Sequence, residues 1–156
     1  MYFAFITVRT SSKRLPNKCF KKLDNIKIID HCILRAKSFK ITPVLCTTNN
    51  PADKILIKYA KKNKIRIFRG SEKNKIKRWY DCAKYFGIKK FHTIDADDPY
   101  FDPLSIKKSL NSLTNDYSII LPSNASRIGG ASEGYSFSYL GISALYESLF
   151  KYSFKK

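Results

Sequence analysis

Basic and hydroxyl side chains are concentrated directly after the first apolar run of the chain. The set comprises Arg9, Ser11, Ser12, Lys13, Arg14 and Lys18, with no carboxylate among residues 9–18. Such donors suit a polyphosphate, because hydrogen bonds from charged groups to phosphate oxygens are short and strong. Residues 9–18, the basic loop, are therefore a candidate anion-binding loop. A solvated surface loop is the alternative, since the chain has 30 basic and only 12 acidic residues.

Carboxylates cluster at a second place, where the chain reads DADDPYFDP and contains Asp95, Asp97, Asp98 and Asp102. They follow a predicted buried strand at residues 90–94. Carboxylates on a loop can hold Mg²⁺, which binds through one or two of them together with substrate phosphates and water. Aspartate also caps helices, and Asp102, just before Pro103, has the position of an N-cap. We therefore favour Asp97 over Asp102 as a metal ligand.

The predicted strands and helices bring these two loops to one edge of a sheet. Apolar runs predict strands at 2–8, 42–47, 65–68, 90–94, 117–121 and 136–140. Helical spacing predicts helices at 26–40, 51–63, 75–86, 104–113 and 143–152. Gly87 is expected to end the third helix in the left-handed conformation. Alternation of strands and helices indicates a mostly parallel sheet with helices on both faces and the first strand central. Ligands bind at the carboxyl ends of such strands.

Composition limits the class of protein. A chain of 156 residues suits one domain, 1–156, that folds without metal or disulfide. The four cysteines form no C-x-x-C pair, which favours reduced, buried thiols. The chain shows neither a signal-peptide pattern nor an apolar run long enough to cross a membrane. We therefore expect a soluble, cytoplasmic protein. Residues 122–136, rich in Ser, Gly and Asn, are predicted to form a long loop.

The net charge of +18 raises the hypothesis of nucleic-acid binding. The excess is mostly lysine spread through every segment, alongside abundant Ile and Asn, as an AT-rich coding sequence would produce. No helix-turn-helix, zinc-finger or RNP signature is present. Nucleic-acid binding is therefore the less favoured hypothesis.

The spacing within the basic loop carries more information than its charge. The pattern R-x-x-S-x-R-L-P-x-K resembles the signature of the cytidylyltransferases that make CMP-activated sugars, including the 3-deoxy-manno-octulosonate and acylneuraminate enzymes and the spore-coat polysaccharide protein F branch. It is formed by Arg9, Ser12, Arg14, Leu15, Pro16 and Lys18. The family's G-D-x-P metal-binding pattern is matched by Ala96, Asp97, Asp98 and Pro99. The resemblance thus implies that Asp97 binds the metal, with Ala96 in place of the usual glycine.

Weaker matches lie between these two patterns. Residues 47–53, TTNNPAD, resemble the family's T-x-x-x-x-D segment, Arg69–Ser71 its R-G-S turn, and Arg78 the arginine of an L-D-R-Y pattern in which Lys77 replaces the aspartate. Residues 131–137 resemble a segment of the spore-coat branch. The resemblance implies that Arg14, Lys18 and Asp97 are catalytic. It also implies a nucleotide-binding set of Arg9, Thr10, Ser11, Ser12, Arg14, Lys18, Thr47, Arg69, Gly70, Ser71, Arg78 and Ala96.

The resemblance further implies a three-layer αβα sandwich with the Rossmann-like, GT-A-like fold of nucleotide-diphospho-sugar transferases. The implied activity is transfer of CMP from CTP to a sugar or sugar-acid acceptor, with Mg²⁺ as cofactor, for surface polysaccharide or glycoconjugate synthesis. His31 and His92 fall outside the loops, which favours structural roles for both. The alternatives are a nucleotidyltransferase with a sugar-phosphate or alcohol-phosphate acceptor, a weak or inactive nucleotide-binding homologue, and a basic nucleic-acid-binding protein.

Members of the resembling family extend beyond the region matched here. Their second metal-binding carboxylate and much of their dimer contact lie in that extension. A homodimer is therefore one hypothesis for the assembly of this chain. We expect this chain to bind Mg-CTP but to turn over slowly or not at all. Glu133, in the predicted loop, is the one later carboxylate that could substitute, since Glu147 is predicted to lie on a solvated helix face.

Overall fold

A computed structural model describes residues 1–11, 15–116, 118–122 and 134–153, with side chains up to residue 149. The strands are β1 Tyr2–Thr7, β2 Lys22–Leu23, β3 Ile26–Lys27, β4 Ile41–Thr48, β5 Arg66–Gly70, β6 Lys90–Asp95, β7 Ile119–Ile120 and β8 Ser136–Ser138. The helices are α1 Ile28–Ser38, α2 Ile55–Lys62, α3 Lys75–Phe86, α4 Pro103–Ser112 and α5 Tyr139–Ser153. Short 3-10 turns occupy Lys18–Phe20 and Pro51–Lys54.

Six strands form one sheet in the order β5-β4-β1-β6-β8-β7. β1 pairs in parallel with both β4 and β6, and β4 pairs in parallel with β5. The prediction that the first strand is central is therefore confirmed. The loops after β1 and β6 leave the same edge of the sheet, because neighbouring parallel strands end on the same side.

The carboxyl-terminal strands correct the predicted regular alternation. The strand predicted at 117–121 is only the two residues of β7, and β8 is antiparallel to both β6 and β7. β8 lies between them because Phe137 stacks on Phe91, which stacks in turn on Phe5, with ring centroids 5.5 and 4.1 Å apart. Tyr117 lies outside the described residues, as does 123–133 of the predicted loop.

Two hydrophobic clusters cover the two faces of the sheet. α1, α2 and α4 pack on one face with Ala4, Ile6 and Leu45, while α3 and α5 pack on the other with Phe5 and Val44. The molecule is thus a three-layer αβα sandwich with a mostly parallel sheet, as expected. Among the described residues, no helix is long and apolar enough to span a membrane.

A small hairpin, β2–β3, precedes α1 and was not predicted. Its turn is Asp24–Asn25, with φ of 51° and 63°. Positive φ at both central residues is typical of a type I′ turn, which favours Asn and Asp. The predicted helix at 26–40 therefore begins only at Ile28, because residues 26–27 belong to β3.

Asp102 is the N-cap of α4, as predicted. Its Oδ1 accepts a hydrogen bond of 2.9 Å from the Leu104 N–H, and its other oxygen accepts one from the Ser105 hydroxyl. We expect Asp102→Ala to lower the free energy of unfolding by about 1 kcal/mol, whereas Asp102→Asn keeps a capping oxygen and most of the stability. Urea denaturation of both variants measures this. Equal losses from the two substitutions would contradict the capping role.

His92 lies in the core, where its Nδ1 contacts the Ser136 hydroxyl at 2.7 Å. Burial lowers the pKa of His92 to about 4. Between that pH and about 6.5 the unfolded chain binds the proton and the folded chain does not, so stability falls as the pH falls. We expect a loss of about 2 kcal/mol from this residue between pH 7 and pH 5. Urea denaturation should show a flatter pH dependence for His92→Gln; an unchanged slope would overturn this assignment.

Candidate active site

A cavity of about 600 Å³ opens at the carboxyl ends of β1 and β6. Three segments line it: the end of β1 with the basic loop and Cys19, the segment that starts α3, and the end of β6. The lining residues are Thr7, Val8, Arg9, Leu15, Lys18, Cys19, Glu72, Lys73, Lys75, Arg78, Asp95, Ala96 and Asp97. The two loops predicted to meet therefore face one cavity. Five cations and three carboxylates border it, which favours an anionic ligand.

Two lysines hold the carboxylates at the end of β6. Lys18 Nζ lies 2.6 Å from Asp97 Oδ2, and Lys75 Nζ lies 2.9 Å from Asp95 Oδ1. The side chains of Lys18 and Asp97 are each 43% exposed, and exposed ion pairs of this kind contribute about 0.2–1 kcal/mol. An incoming phosphate or metal ion can therefore displace the pair at small cost.

Arg78 is a buried cation at the wall of the cavity. Only 4% of it is exposed, its Nη1 donates to the Ser71 carbonyl at 2.7 Å, and its Nε has no hydrogen-bond partner among the described residues. No carboxylate in the described part of the chain forms an ion pair with it. A buried charge without a partner is costly, so the geometry suits a ligand that supplies an acceptor.

The R-G-S turn supports Arg78 instead of facing the cavity. Arg69 donates to the carbonyls of Thr48 and Asn50 at 3.0 and 2.9 Å. A Cβ at Gly70 would lie 2.7 Å from the Phe68 ring and 3.1 Å from the Arg78 side chain, so glycine is needed for this close packing. Ser71 Oγ accepts from the Asn74 N–H. These residues position α3 and its arginine.

Two other predicted nucleotide contacts are turned into the protein. Thr47 is fully buried in β4. Thr10 is 5% exposed, and both its N–H and its hydroxyl donate to Asp53 Oδ1 at 2.7 Å. Neither hydroxyl faces the cavity. Ser11 is exposed, while Ser12, Lys13 and Arg14 lie outside the described residues, as does Glu133.

Ala96, which stands where the family usually has glycine, has backbone geometry that does not require glycine. Its φ is not positive, its N–H donates to the Thr7 carbonyl at 3.0 Å, and its carbonyl accepts from the Cys32 thiol. A side chain is therefore tolerated at this position without left-handed backbone. Burial raises the pKa of the Cys32 thiol to about 12, so the thiol stays protonated and remains a donor here.

The donor set of the cavity fits Mg²⁺ carried by a phosphate. No group of three or more His, Cys, Asp or Glu residues within the described ranges could hold a metal ion alone. Mg²⁺ commonly binds through one or two carboxylates plus substrate phosphates. Asp97, at the cavity wall beside Lys18, offers such a carboxylate.

Sequence reasoning named Arg78 on α3 but missed the side chains just before this helix and at its first residue. Lys73, Lys75 and Glu72 line the cavity, and Lys75 also lies 5.0 Å from the centre of the Trp79 ring. One signal could have indicated them: β5 is parallel to β4 and β1, so the segment after β5 leaves the sheet at the same edge as the basic loop. A lysine among 30 basic residues carried no local signal of its own.

Two known proteins are similar to this chain over most of its length. An uncharacterised protein of Methanocaldococcus jannaschii is 29% identical over 138 residues, which is 86% of this chain and 56% of the relative. A cytidylyltransferase structure from Leptospira borgpetersenii superposes with a TM-score of 0.73 at 22% identity, covering 94% of this chain and 63% of that one. The chain thus spans less than two thirds of both.

A second structure is similar in fold at lower identity. CMP:2-keto-3-deoxy-manno-octonic acid synthetase, complexed with CTP, gives a TM-score of 0.69 at 11% identity, covering 94% of this chain and 78% of that one. At this identity the likeness shows the fold alone.

A family model described as cytidylyltransferase matches residues 3–138. The match includes the basic loop, the R-G-S turn, Arg78 and the Asp97 loop, and extends to the end of β8. Because it spans most of the 156 residues, this chain belongs to the cytidylyltransferase family.

Proposed function

We propose that the protein transfers CMP from CTP to a sugar or sugar-acid acceptor and releases pyrophosphate. The observation that carries the proposal is the cavity itself, which is lined by the Lys18–Asp97 pair and by Arg78, a cation that has no carboxylate partner among the described residues. A triphosphate would supply the anionic partners that this wall of the cavity lacks. Family membership indicates that the nucleobase of this triphosphate is cytosine, since cytidylyltransferases use CTP.

The reaction needs clamps more than a covalent nucleophile. An acceptor oxygen attacks the α-phosphorus of CTP, the bond from that phosphorus to the bridging oxygen breaks, and the acceptor proton passes to solvent. Negative charge grows on the leaving pyrophosphate, and fixed cations stabilise it. Arg9 and Lys18 are the described cations of the basic loop at the cavity, and Arg14 is the third by resemblance.

Asp97 is the residue that would hold Mg²⁺. When bound, the ion neutralises charge on the phosphate oxygens and favours ionisation of the attacking hydroxyl. Lys18, released from Asp97, would then turn to the phosphates. The exposure of this pair makes such an exchange inexpensive.

The acceptor is proposed from resemblance. Residues 131–137 resemble the spore-coat branch, and one structural neighbour is a CMP-activated sugar-acid synthetase. The motif resemblance favours a sugar or sugar acid used in surface polysaccharide or glycoconjugate synthesis, and the neighbour adds a shared fold. A weak or inactive nucleotide-binding homologue, and a basic nucleic-acid-binding protein, are the competing functions, the latter favoured only by the charge of +18.

A thermal-shift screen tests the proposal. The four nucleoside triphosphates with Mg²⁺ are compared with inorganic tripolyphosphate and a short oligonucleotide at one ionic strength. A ligand at a hundred times its Kd stabilises the folded state by about 2.7 kcal/mol. Selective stabilisation by CTP supports the proposal, whereas equal stabilisation by every polyanion, or by the oligonucleotide alone, would contradict it.

A further inference from the structure

Asp53 is a fully buried carboxylate that faces away from the cavity. It lies in the 3-10 turn Pro51–Lys54, directly before α2. Its Oδ1 accepts two hydrogen bonds from Thr10, one from the N–H and one from the hydroxyl, each 2.7 Å long. Its Oδ2 accepts from the Thr48 hydroxyl. The carboxylate therefore joins the segments that follow β1 and β4.

Asp53 is ionised in spite of its burial. Burial alone would raise its pKa, but the hydrogen bonds from the Thr10 N–H and the Thr48 and Thr10 hydroxyls outweigh it, so the pKa lies below the usual value. No cation in the described ranges forms an ion pair with it. Oriented donors therefore hold this charge, and removing the charge releases those donors.

Thr10 is the point at which the basic loop is fixed. Asp53 holds its N–H and hydroxyl, while its carbonyl accepts from the Asn17 N–H at 3.1 Å. The residue before it, Arg9, lines the cavity. The direction of the Arg9 side chain thus depends on a backbone that Asp53 anchors.

The same turn is also hydrogen-bonded to a second residue that lines the cavity. Asn50 caps the turn by accepting from the Ala52 N–H, and its Nδ2 donates to Glu72 Oε1 at 2.9 Å. Glu72 lines the cavity. Segment 48–53 therefore connects the basic loop, through Asp53, with the residues that precede α3, through Asn50.

We propose that Asp53 is a positioning residue for triphosphate binding, acting through Thr10, and that the Thr10 hydroxyl is not itself a nucleotide ligand. The inference rests on the proposed function, because the triphosphate of CTP is the ligand the loop would receive. Asp53 is fully buried and does not line the cavity. Its role is to fix the backbone at Thr10, so that Arg9 is already positioned when the triphosphate binds.

Calorimetry on matched variants tests this role. Asp53→Asn and Thr10→Val are each expected to weaken Mg-CTP binding about tenfold, because the first removes the charge that strengthens both bonds from Thr10 and the second removes the bond from the Thr10 hydroxyl. Thr10→Ser keeps both bonds and should bind like the parent. Thr48→Val removes the bond to the other oxygen and should lower Tm while leaving Kd within about twofold. Loss of affinity in Thr48→Val equal to that in Asp53→Asn would reduce the role to general stability.

Two further measurements separate this inference from the proposed function. The affinity for inorganic tripolyphosphate measures phosphate binding by the basic loop in the absence of cytosine. The rate of amide hydrogen exchange measures directly how well the Thr10 N–H is protected. Asp53→Asn should weaken tripolyphosphate binding and speed exchange at Thr10, even if the parent shows no preference for CTP. Unchanged tripolyphosphate affinity and unchanged exchange would overturn the inference. If Asp53→Asn does not fold, the contrast between Thr10→Val and Thr10→Ser decides: equal affinities contradict the role.

Discussion

Asp97→Asn is expected to abolish the Mg²⁺ dependence of CTP binding and leave the fold intact. The side chain is 43% exposed, and within the described part of the chain it forms its ion pair with the equally exposed Lys18, so its replacement leaves no buried group unpaired. Asparagine keeps the shape but is a much poorer Mg²⁺ ligand than a carboxylate. We expect the affinity for Mg-CTP to fall on the order of a hundredfold, the loss of one charge-assisted contact with a bound ion.

Because Asp97 pairs with Lys18, we expect the same variant to have the opposite effect on CTP affinity when Mg²⁺ is absent. Asp97 repels an approaching triphosphate and holds the Lys18 ammonium at 2.6 Å. Asparagine removes the repulsion and frees the lysine. Metal-free CTP should therefore bind Asp97→Asn at least as tightly as the parent. Calorimetry with and without Mg²⁺ measures both effects on one protein.

Asp98→Asn is the matched control for this experiment. Asp98 is the adjacent carboxylate, and its Oδ1 accepts from the Tyr100 N–H at 3.3 Å without lining the cavity. It should bind Mg-CTP like the parent. Undiminished Mg-CTP binding by Asp97→Asn, or an equal loss in Asp98→Asn, would remove Asp97 from the metal site.

Elements with strong local signals could be predicted from the sequence. α3 begins and ends at the predicted residues because Asn74 accepts from the Lys77 N–H at one end and Gly87 takes a φ of 63° at the other. The N-cap at Asp102 was predicted for the same reason. Such signals lie within a few residues of the element that they determine.

The order of the last strands had no such signal. β8 pairs with β6 across 44 residues of sequence, and its place depends on the packing of Phe137 against Phe91. An alternating pattern of strands and helices predicts parallel pairing, but it does not say which neighbour a short strand joins. The hairpin β2–β3 is different, because its Asp24–Asn25 turn was a readable signal.

The candidate site was predicted in its outline and not in its contacts. Two motifs place Lys18 and Asp97 on the loops that follow β1 and β6, and the structure brings their side chains to 2.6 Å although the residues are 79 apart in sequence. A motif does not say which way a side chain turns. Thr10 belongs to the basic loop, yet its N–H and its hydroxyl both donate to Asp53. A buried carboxylate is costly unless it accepts hydrogen bonds, whereas donors at the surface can bond to water.

Arg14→Ala should weaken Mg-CTP binding far more than Lys13→Ala. The R-x-x-S-x-R-L-P-x-K pattern assigns Arg14 to the triphosphate and leaves Lys13 at a variable position. Two described residues of the basic loop, Arg9 and Leu15, line the cavity. A charged hydrogen bond contributes about 1.5–3 kcal/mol, so we expect roughly a ten- to a hundredfold loss for Arg14→Ala.

The two substitutions remove the same formal charge from adjacent positions, so a diffuse cationic field predicts equal losses from both. A long-range field weakens with salt, with a screening length of about 8 Å at physiological ionic strength, whereas a direct contact with phosphate is screened less. Calorimetry at two salt concentrations therefore separates the two explanations. An Arg14→Ala defect that persists at high salt, beside parent-like Lys13→Ala, identifies a specific clamp. Equal defects that both disappear at high salt would show that the basic loop attracts CTP only by its net charge.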